Sequence, residues 1–352
     1  MLEVYATQKA IETLVGSGHN NPNWDKLLRL DSCVKVYVDT DEETLNQLML
    51  DNDIDLEADS ENILEKTKGK DDAVVLCHPV SIFFPSINVQ KASDIQNRYG
   101  VLCQGDSHIT DDNMLSKVHK TVHLGSKSHN WKEILSSIAN IPSNAILIND
   151  QYLFSRGREN ADGKINFGGL ANLRRILDTL LPINFDAKTS FHVTVVINEE
   201  SVKYKSYVGS FEKVYPLTKI SKMIKEEIRN LRRYSTPIQV EVLSVGTSTN
   251  IPDECKLVHD RYILTNYTII DCTHAFDAFN DKGNAIYTQD VHVKSIFGEG
   301  VDDDSDIPEE TAFDYRKKFY TNLFKSSLYT FNSKQIPFVG MENRLIKYIP
   351  KE

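Results

Sequence analysis

The chain has 352 residues, of which 40% are hydrophobic and 26% are charged, and its formal net charge is −10. This length predicts two globular domains, and the acidic balance argues against a protein that coats nucleic acid non-specifically. The sequence contains no apolar run of about 18 residues and no secretion signal at its start, so we expect a cytoplasmic protein with no membrane partner.

Charge is distributed unevenly along the chain. Residues 1–70 contain 15 acidic and 7 basic residues, whereas residues 156–233 contain 15 basic and 9 acidic ones. Two readings stay open. Both segments are ordinary solvated surfaces, or the basic segment meets phosphates and the acidic segment shields it.

Cysteine and carboxylate patterns bear on metal sites. The 5 cysteines are widely spaced without a CxxC pair, which is typical of a reducing compartment and predicts neither disulfides nor a zinc site. We expect no cofactor and no metal. One alternative is a Mg²⁺ site of the kind found in PIN-like nucleases, built from carboxylates that flank predicted strand ends. These are Asp39, Asp41, Asp71, Asp72 and Asp106.

Residues 1–141 predict a small acidic α/β domain. Runs rich in β-branched and apolar residues predict strands, and capping residues mark where helices begin. The predicted elements are strands over 32–38, 73–77 and 99–103, a helix over 41–50 capped by Thr40, and a helix over 131–139 capped by Asn130.

Residues 142–352 predict a second domain with a mixed sheet and a C-terminal helical extension. Its elements are strands over 145–154, 191–197, 238–245, 258–265 and from 267, helices over 170–181 and 219–231, an acidic loop at 300–306, and a helix over 311–328. Alternating strands and helices predict a parallel sheet, and the short links between the last strands predict an antiparallel pair. The fold class is therefore α/β.

The strand predicted over 258–265 carries the strongest functional pattern. Side chains alternate along a strand, so His259 and Arg261 project from one face and Asp260 from the other. An imidazole beside a guanidinium suits a phosphodiester, because the histidine can attack phosphorus while the planar fork of the arginine holds phosphate oxygens. The alternative is a structural hydrogen-bond pair at the end of a strand.

The spacing His259-x-Arg261, four residues, Asn266 resembles the HxK-(four residues)-Asp motif of phospholipase D-like proteins. Arginine stands where that family usually has lysine, asparagine stands where it has aspartate, and residues 271–277 replace its Gly-Ser segment. The order of strands and helices also fits one half of that fold. The run is similar to the phospholipase D-like domain of MIT-domain proteins, a binding module, and to His-Asp-Arg segments of bacterial proteins in mobile-element and phage-defence settings.

This resemblance implies a metal-independent phosphodiesterase or nuclease in which His259 is the nucleophile, Arg261 holds the phosphate and Asn266 orients the histidine. Active members use two histidines, so the second comes from His274, from His292 or from a symmetric partner chain. The implied partners are nucleic acid or nucleotide phosphate and a second copy or another protein. The alternative is a non-catalytic binding module or a subunit of a larger complex.

Three further features are candidate phosphate or site contacts, each with a simpler structural reading. The basic face of the helical segment predicted over 219–233 either binds phosphate or is merely solvated; it contains Lys222, Lys225, Arg229, Arg232 and Arg233. The polar run 149–151 either lines a site at the sheet edge or forms a turn. The pair Gly168-Gly169 either lets an anion approach a helix N-terminus or ends a loop.

Overall fold

The structure, a computed structural model, describes residues 2–16, 34–52, 57–58, 81–105, 120–125, 130–187, 190–198, 201–209, 212–244, 261–280, 282–295 and 343–347. His259, Asp260, the strand predicted over 73–77 and the elements predicted at 300–306 and 311–328 lie outside these ranges. Within them, no helix combines the length and the hydrophobicity that a membrane crossing requires.

The first sheet is entirely parallel. Its strands are β1 (Leu2–Thr7), β2 (Val34–Asp39), β3 (Glu57–Ala58), β4 (Ser81–Phe84) and β5 (Leu102–Cys103), in the spatial order β3-β2-β1-β4-β5. Three helices accompany it: α1 (Gln8–Gly16), α2 (Glu42–Asn52) and α3 (Val89–Tyr99). Strands buried on both faces need continuous apolar side chains. One face of this sheet supplies Val4, Ala6, Val36 and Val38 to one core cluster, and the other face supplies Tyr5 and Phe83 to a second cluster.

Two boundaries in this part differ from prediction. Helix α2 is capped by Asp41, whose Oδ1 accepts the backbone N–H of Thr44 at 2.8 Å, whereas Thr40 donates its hydroxyl to Gln8. The strand predicted over 99–103 shortens to β5, because Tyr99 still belongs to α3, which ends at Gly100 in the left-handed conformation with φ 64°.

The second sheet has seven strands and holds the residues of the main motif. They are β6 (Lys120–Leu124), β7 (Ala145–Asn149), β10 (Phe191–Ile197), β13 (Ile238–Ser244), β14 (Arg261–Leu264), β15 (Thr268–Cys272) and β16 (Gln289–Ser295), ordered β13-β10-β7-β14-β15-β16-β6. Strands β13, β10 and β7 are parallel, and every pair from β7–β14 onward is antiparallel. The α/β fold class and the antiparallel closing strands are thus confirmed.

Smaller elements complete this part of the chain. The helices are α4 (Trp131–Ile134), α5 (Gly168–Leu180), α6 (Leu217–Leu231) and α7 (Arg344–Lys347). A four-stranded sheet, ordered β12-β11-β8-β9, consists of β8 (Gly157–Glu159), β9 (Ile165–Phe167), β11 (Lys203–Lys205) and β12 (Glu212–Val214). Strands of three residues are too short to show periodicity, which is why none of these four was predicted.

Several contacts cross the predicted domain boundary at residue 141. Strand β6 precedes that boundary yet pairs with β16, and Trp131 of α4 donates its indole N–H to Asn172 of α5 at 2.9 Å. Tyr267 joins the two sheets, because its hydroxyl accepts the N–H of Leu102 at 2.9 Å and donates to the carbonyl of Ser81. The division into domains at 141/142 stays a prediction.

Candidate functional site

One edge of the seven-stranded sheet collects the polar residues of interest. Strand β14 runs opposite to β7, so its first residue, Arg261, lies near the carboxyl end of β7. Strand β15 returns to the same edge, and the loop 273–280 follows it. The carboxyl ends of parallel strands are common ligand sites in α/β folds. Topology therefore brings the ends of β7 and β15 and the start of β14 together.

Asp150 organises this edge. Its side chain is completely inaccessible to solvent, and its two oxygens accept the backbone N–H groups of Tyr152 at 3.0 Å and Phe276 at 2.9 Å. Its Oδ1 lies 3.8 Å from Nε of Arg261. Burial raises the pKa of the Asp150 carboxyl, against the opposing effect of these N–H groups and the guanidinium. The strand predicted to continue to residue 154 instead ends at Asn149, because Asp150 closes a turn there.

A cavity of about 300 Å³ opens beside Asp150. Its lining residues come from four stretches of the chain and are Tyr152, Ser155, Arg156, Arg261, His274, Ala275, Asp277 and Tyr287. Two of the eight carry a guanidinium and three carry an aromatic ring or imidazole. The sequence motif predicted only Arg261 and His274 among them.

Arg261 is held in the wall of this cavity. Its Nη1 donates to the carbonyl of Thr273 at 3.4 Å, and its Cζ lies 5.9 Å from the ring centre of Tyr152. Its Nε is buried and has no hydrogen-bond partner among the described residues. Thr273 stands in the segment that replaces the Gly-Ser pair of the phospholipase D-like motif. The structure thus places that segment beside the arginine.

A second cluster of rings and charge lines the cavity. The Cζ of Arg156 lies 5.3 Å from the ring centre of Tyr287. The rings of Tyr287 and His274 stack, with centroids 5.8 Å apart and planes 28° apart. His274 is exposed, and its backbone N–H donates to Oε1 of the buried Gln289 at 3.0 Å. Gln289 therefore fixes the start of the loop that carries His274.

Asp277 is the second acidic group of the cavity. Only 6% of it is exposed, and burial raises the pKa of its carboxyl to about 6. The nearby Asp150 raises this pKa further, whereas Arg156 and Arg261 oppose the shift. A carboxyl with this pKa exchanges its proton close to neutral pH, which suits it to acid–base work on a bound ligand.

Asn266 does not line this cavity, and its role in orienting His259 stays a prediction because His259 lies outside the described residues. It follows β14 at the opposite edge of the sheet, because five residues of strand span about 16 Å. Its Oδ1 accepts the N–H groups of Asn144 at 2.9 Å and Ala145 at 3.2 Å, and its Nδ2 donates to Oδ1 of Asn144 at 2.8 Å. The residue is completely buried. Its observed contacts fasten β14 to the start of β7.

His292 points away from the cavity, contrary to its place as a candidate second histidine. In the strand register Arg261 pairs with Cys272, whereas His292 pairs with Asp271. Neighbouring residues of a strand face opposite sides of the sheet, so His292 and Arg261 lie on different faces. Its ring contacts Thr121 Oγ1 at 2.9 Å and lies 3.9 Å from Asp271 Oδ1. Of the two candidates, His274 alone lines the cavity.

The basic residues of α6 and of the two positions after it are also separate from the cavity, and their part in phosphate binding stays a prediction. None of the five lines the cavity; they are Lys222, Lys225, Arg229, Arg232 and Arg233. Arg232 instead binds Asp178 Oδ1 at 2.9 Å and the carbonyl of Pro182 at 3.3 Å. It therefore caps the end of α5, at the amino-terminal edge of the parallel strands.

Metal ligands do not gather in the part of the chain that the structure covers. No group of three or more His, Cys, Asp or Glu side chains among the described residues is arranged to hold a metal ion. Of the carboxylates considered for Mg²⁺, Asp71, Asp72 and Asp106 lie outside the described ranges.

Comparison with known proteins adds no relative. A scan against the profiles of known protein families finds no match, and a search of curated proteins finds none either. The resemblance to phospholipase D-like proteins stays a prediction that rests on the spacing of the motif.

Proposed function

We propose that the cavity binds a phosphate group of a nucleic acid, with Arg261 and Arg156 as its cationic contacts. The carrying observation is that two guanidinium groups from separate stretches of the chain line one cavity. Arginine suits this task because its planar donors match phosphate oxygens and it stays charged at every working pH. Asp150 supports the arrangement by holding the segments on which Arg261 and the 273–280 loop lie.

Metal-independent hydrolysis of a phosphodiester is a second candidate function. His274 and Asp277 line the same cavity as the two arginines, and an imidazole with a carboxyl of raised pKa can move the protons that such a reaction requires. The motif resemblance adds His259 as a nucleophile. It also favours a cytoplasmic protein in a phage-defence or mobile-element setting, acting as a homo-oligomer or with a partner protein. A non-catalytic binding module is the alternative.

Binding of a fluorescent oligonucleotide in EDTA tests the main proposal. We expect Arg156→Ala and Arg261→Ala each to weaken binding about 10-fold or more, since a hydrogen bond to a charged group contributes about 1.5–3 kcal/mol. Arg229→Ala, on the exposed face of α6, is the matched control and should leave the affinity within about 2-fold of wild type.

The outcomes of this titration separate the alternatives. Arg261→Ala deprives the buried Asp150 of its cation and risks unfolding, so the exposed Arg156 decides the result and thermal melts accompany both variants. Equal losses in Arg156→Ala and Arg229→Ala would contradict a site in the cavity. Cleavage of the oligonucleotide in EDTA, lost in His274→Ala, would select hydrolysis over binding alone.

A further inference from the structure

The cavity combines guanidinium groups with open ring faces. Three of its eight lining residues are Tyr152, His274 and Tyr287. The usual role of clustered rings is to fill a core. These rings are not core residues, because Tyr152 is 36% exposed, His274 is exposed and Tyr287 is half-buried. Rings that line a cavity in contact with solvent are available to a ligand.

The rings and the arginines are arranged in pairs. Arg261 lies over Tyr152 at 5.9 Å, and Arg156 lies over Tyr287 at 5.3 Å. The imidazole of His274 adds to Tyr287 as a second stacked layer. A guanidinium that lies over an aromatic ring is held in place by its attraction to the face of the ring. Arg156, Tyr287 and His274 therefore form one stack, and the exposed imidazole of His274 is its outer end.

We propose that the cavity accepts an unpaired nucleotide, whose base stacks on the exposed imidazole of His274, backed by Tyr287, while Arg156 and Arg261 hold its phosphate. The ligand class is single-stranded nucleic acid, and the inference rests on the proposed phosphate site. Stacking on aromatic rings beside cationic groups is how proteins bind single strands without reading their sequence.

The dimensions of the cavity favour one nucleotide over a duplex. A volume of about 300 Å³ stands at the lower end of the range for small-ligand sites, about 300–1,000 Å³. Bases inside a duplex have both faces covered by their neighbours, and a terminal base is still joined to its pairing partner, so a cavity of about 300 Å³ accepts only an unpaired base.

The charge of the cavity limits the number of contacts that it can make with the phosphates of a nucleic-acid strand. Two arginines line the cavity, but Asp277 also lines it and Asp150 lies beside it. We therefore expect about two phosphate contacts. For a single strand this corresponds to a slope of about −1.4 in the logarithm of the binding constant against the logarithm of salt concentration.

Titrations with a single strand, the blunt duplex of the same sequence and inorganic phosphate as competitor test this inference. The single strand should bind at least about 10-fold more tightly than the duplex. His274→Ala should weaken single-strand binding by about 5- to 150-fold, because about 1–3 kcal/mol is the range for losing one base–ring stack. Tyr207→Ala removes an exposed ring outside the cavity and should stay within about 2-fold of wild type.

Two readouts distinguish stacking from a general loss of structure. Inorganic phosphate should compete equally well against wild type and His274→Ala, and a 2-aminopurine base in the strand should lose fluorescence on binding wild type but not this variant. Equal affinity for duplex and single strand, or unchanged single-strand binding in His274→Ala, would overturn the stacking inference. If inorganic phosphate does not compete at all and Arg156→Ala binds normally, the phosphate proposal itself fails, and the stacking inference falls with it.

Discussion

Replacing Gly169 by alanine should destabilise the protein by about 3 kcal/mol or more, whereas the same change at the adjacent Gly168 should be neutral or stabilise it by up to about 1 kcal/mol. Both glycines stand in the first turn of α5. A Cβ on Gly169 would lie 1.7 Å from the carbonyl oxygen of Leu153, whereas a Cβ on Gly168 would meet nothing within 4 Å. The obstacle at Gly169 is backbone, so no rotamer change relieves it.

Urea unfolding of the two alanine variants provides the measurement. The pair is well matched because the chemical change and the helix are the same, and the two differ mainly in the atom that the new methyl group meets. Leu153 belongs to the turn that Asp150 closes, so displacement in Gly169→Ala should also weaken phosphate binding. Equal unfolding midpoints for the two variants would contradict the close contact between α5 and this turn.

Replacing Asp277 by asparagine should raise the free energy of unfolding above about pH 7 by about 2–3 kcal/mol. Burial and Asp150 raise the pKa of this carboxyl from 3.8 to about 6 in the folded protein. Between these values the folded chain binds more protons than the unfolded chain, so this group makes wild type less stable as pH rises from about 4 through about 6. A rise in the pKa of this size lowers the free energy of unfolding of wild type above about pH 7 by about 3 kcal/mol.

Urea titrations at about pH 4 and pH 7.5 check this difference, with Asp162→Asn, at an exposed position outside the cavity, as the control variant. The same charge acts on the ligand. A phosphodiester, which does not titrate in this range, should bind wild type less tightly as pH rises through about 6, because ionised Asp277 repels it. In Asp277→Asn this decline should be absent. A decline of the same size in the variant would assign the titration to another group.

Much of the fold could be predicted because the signals are local. The apolar run at 191–197 coincides with β10, and helical spacing of buried residues located α5 and α6 within two residues at each end. The start of the predicted helix at Thr40 was wrong by one residue, because Thr40 and Asp41 are both capable caps and only the three-dimensional contacts decide between them.

The site could be predicted only in part. Arg261 stood out because motif spacing points to it, and His274 because it follows the motif closely in the sequence. Arg156, Asp277 and Tyr287 carry no pattern, since they come from loops that tertiary contacts position. Asp150 fastens one of these loops by accepting the N–H of Phe276. No local feature of the sequence indicates such a contact.

The misplaced residues show what spacing leaves undetermined. Asn266 was assigned to the motif by its spacing from His259 and Arg261, but the intervening strand β14 carries it to the other edge of the sheet. His292 was assigned by proximity in sequence, whereas the register between β15 and β16 decides its face. The polar face of α6 was identified correctly, but the partner of Arg232 is Asp178, 54 residues earlier in the chain.

The position of a bound oxyanion tests the central claim most directly. Tungstate is a tetrahedral oxyanion like phosphate, and its anomalous scattering locates it in a soaked crystal without ambiguity. We predict a tungstate within hydrogen-bonding distance of the guanidinium groups of Arg156 and Arg261, inside the cavity that Asp277 lines. Tungstate bound only along the exposed face of α6, at Lys222 or Arg229, with none in the cavity would contradict it.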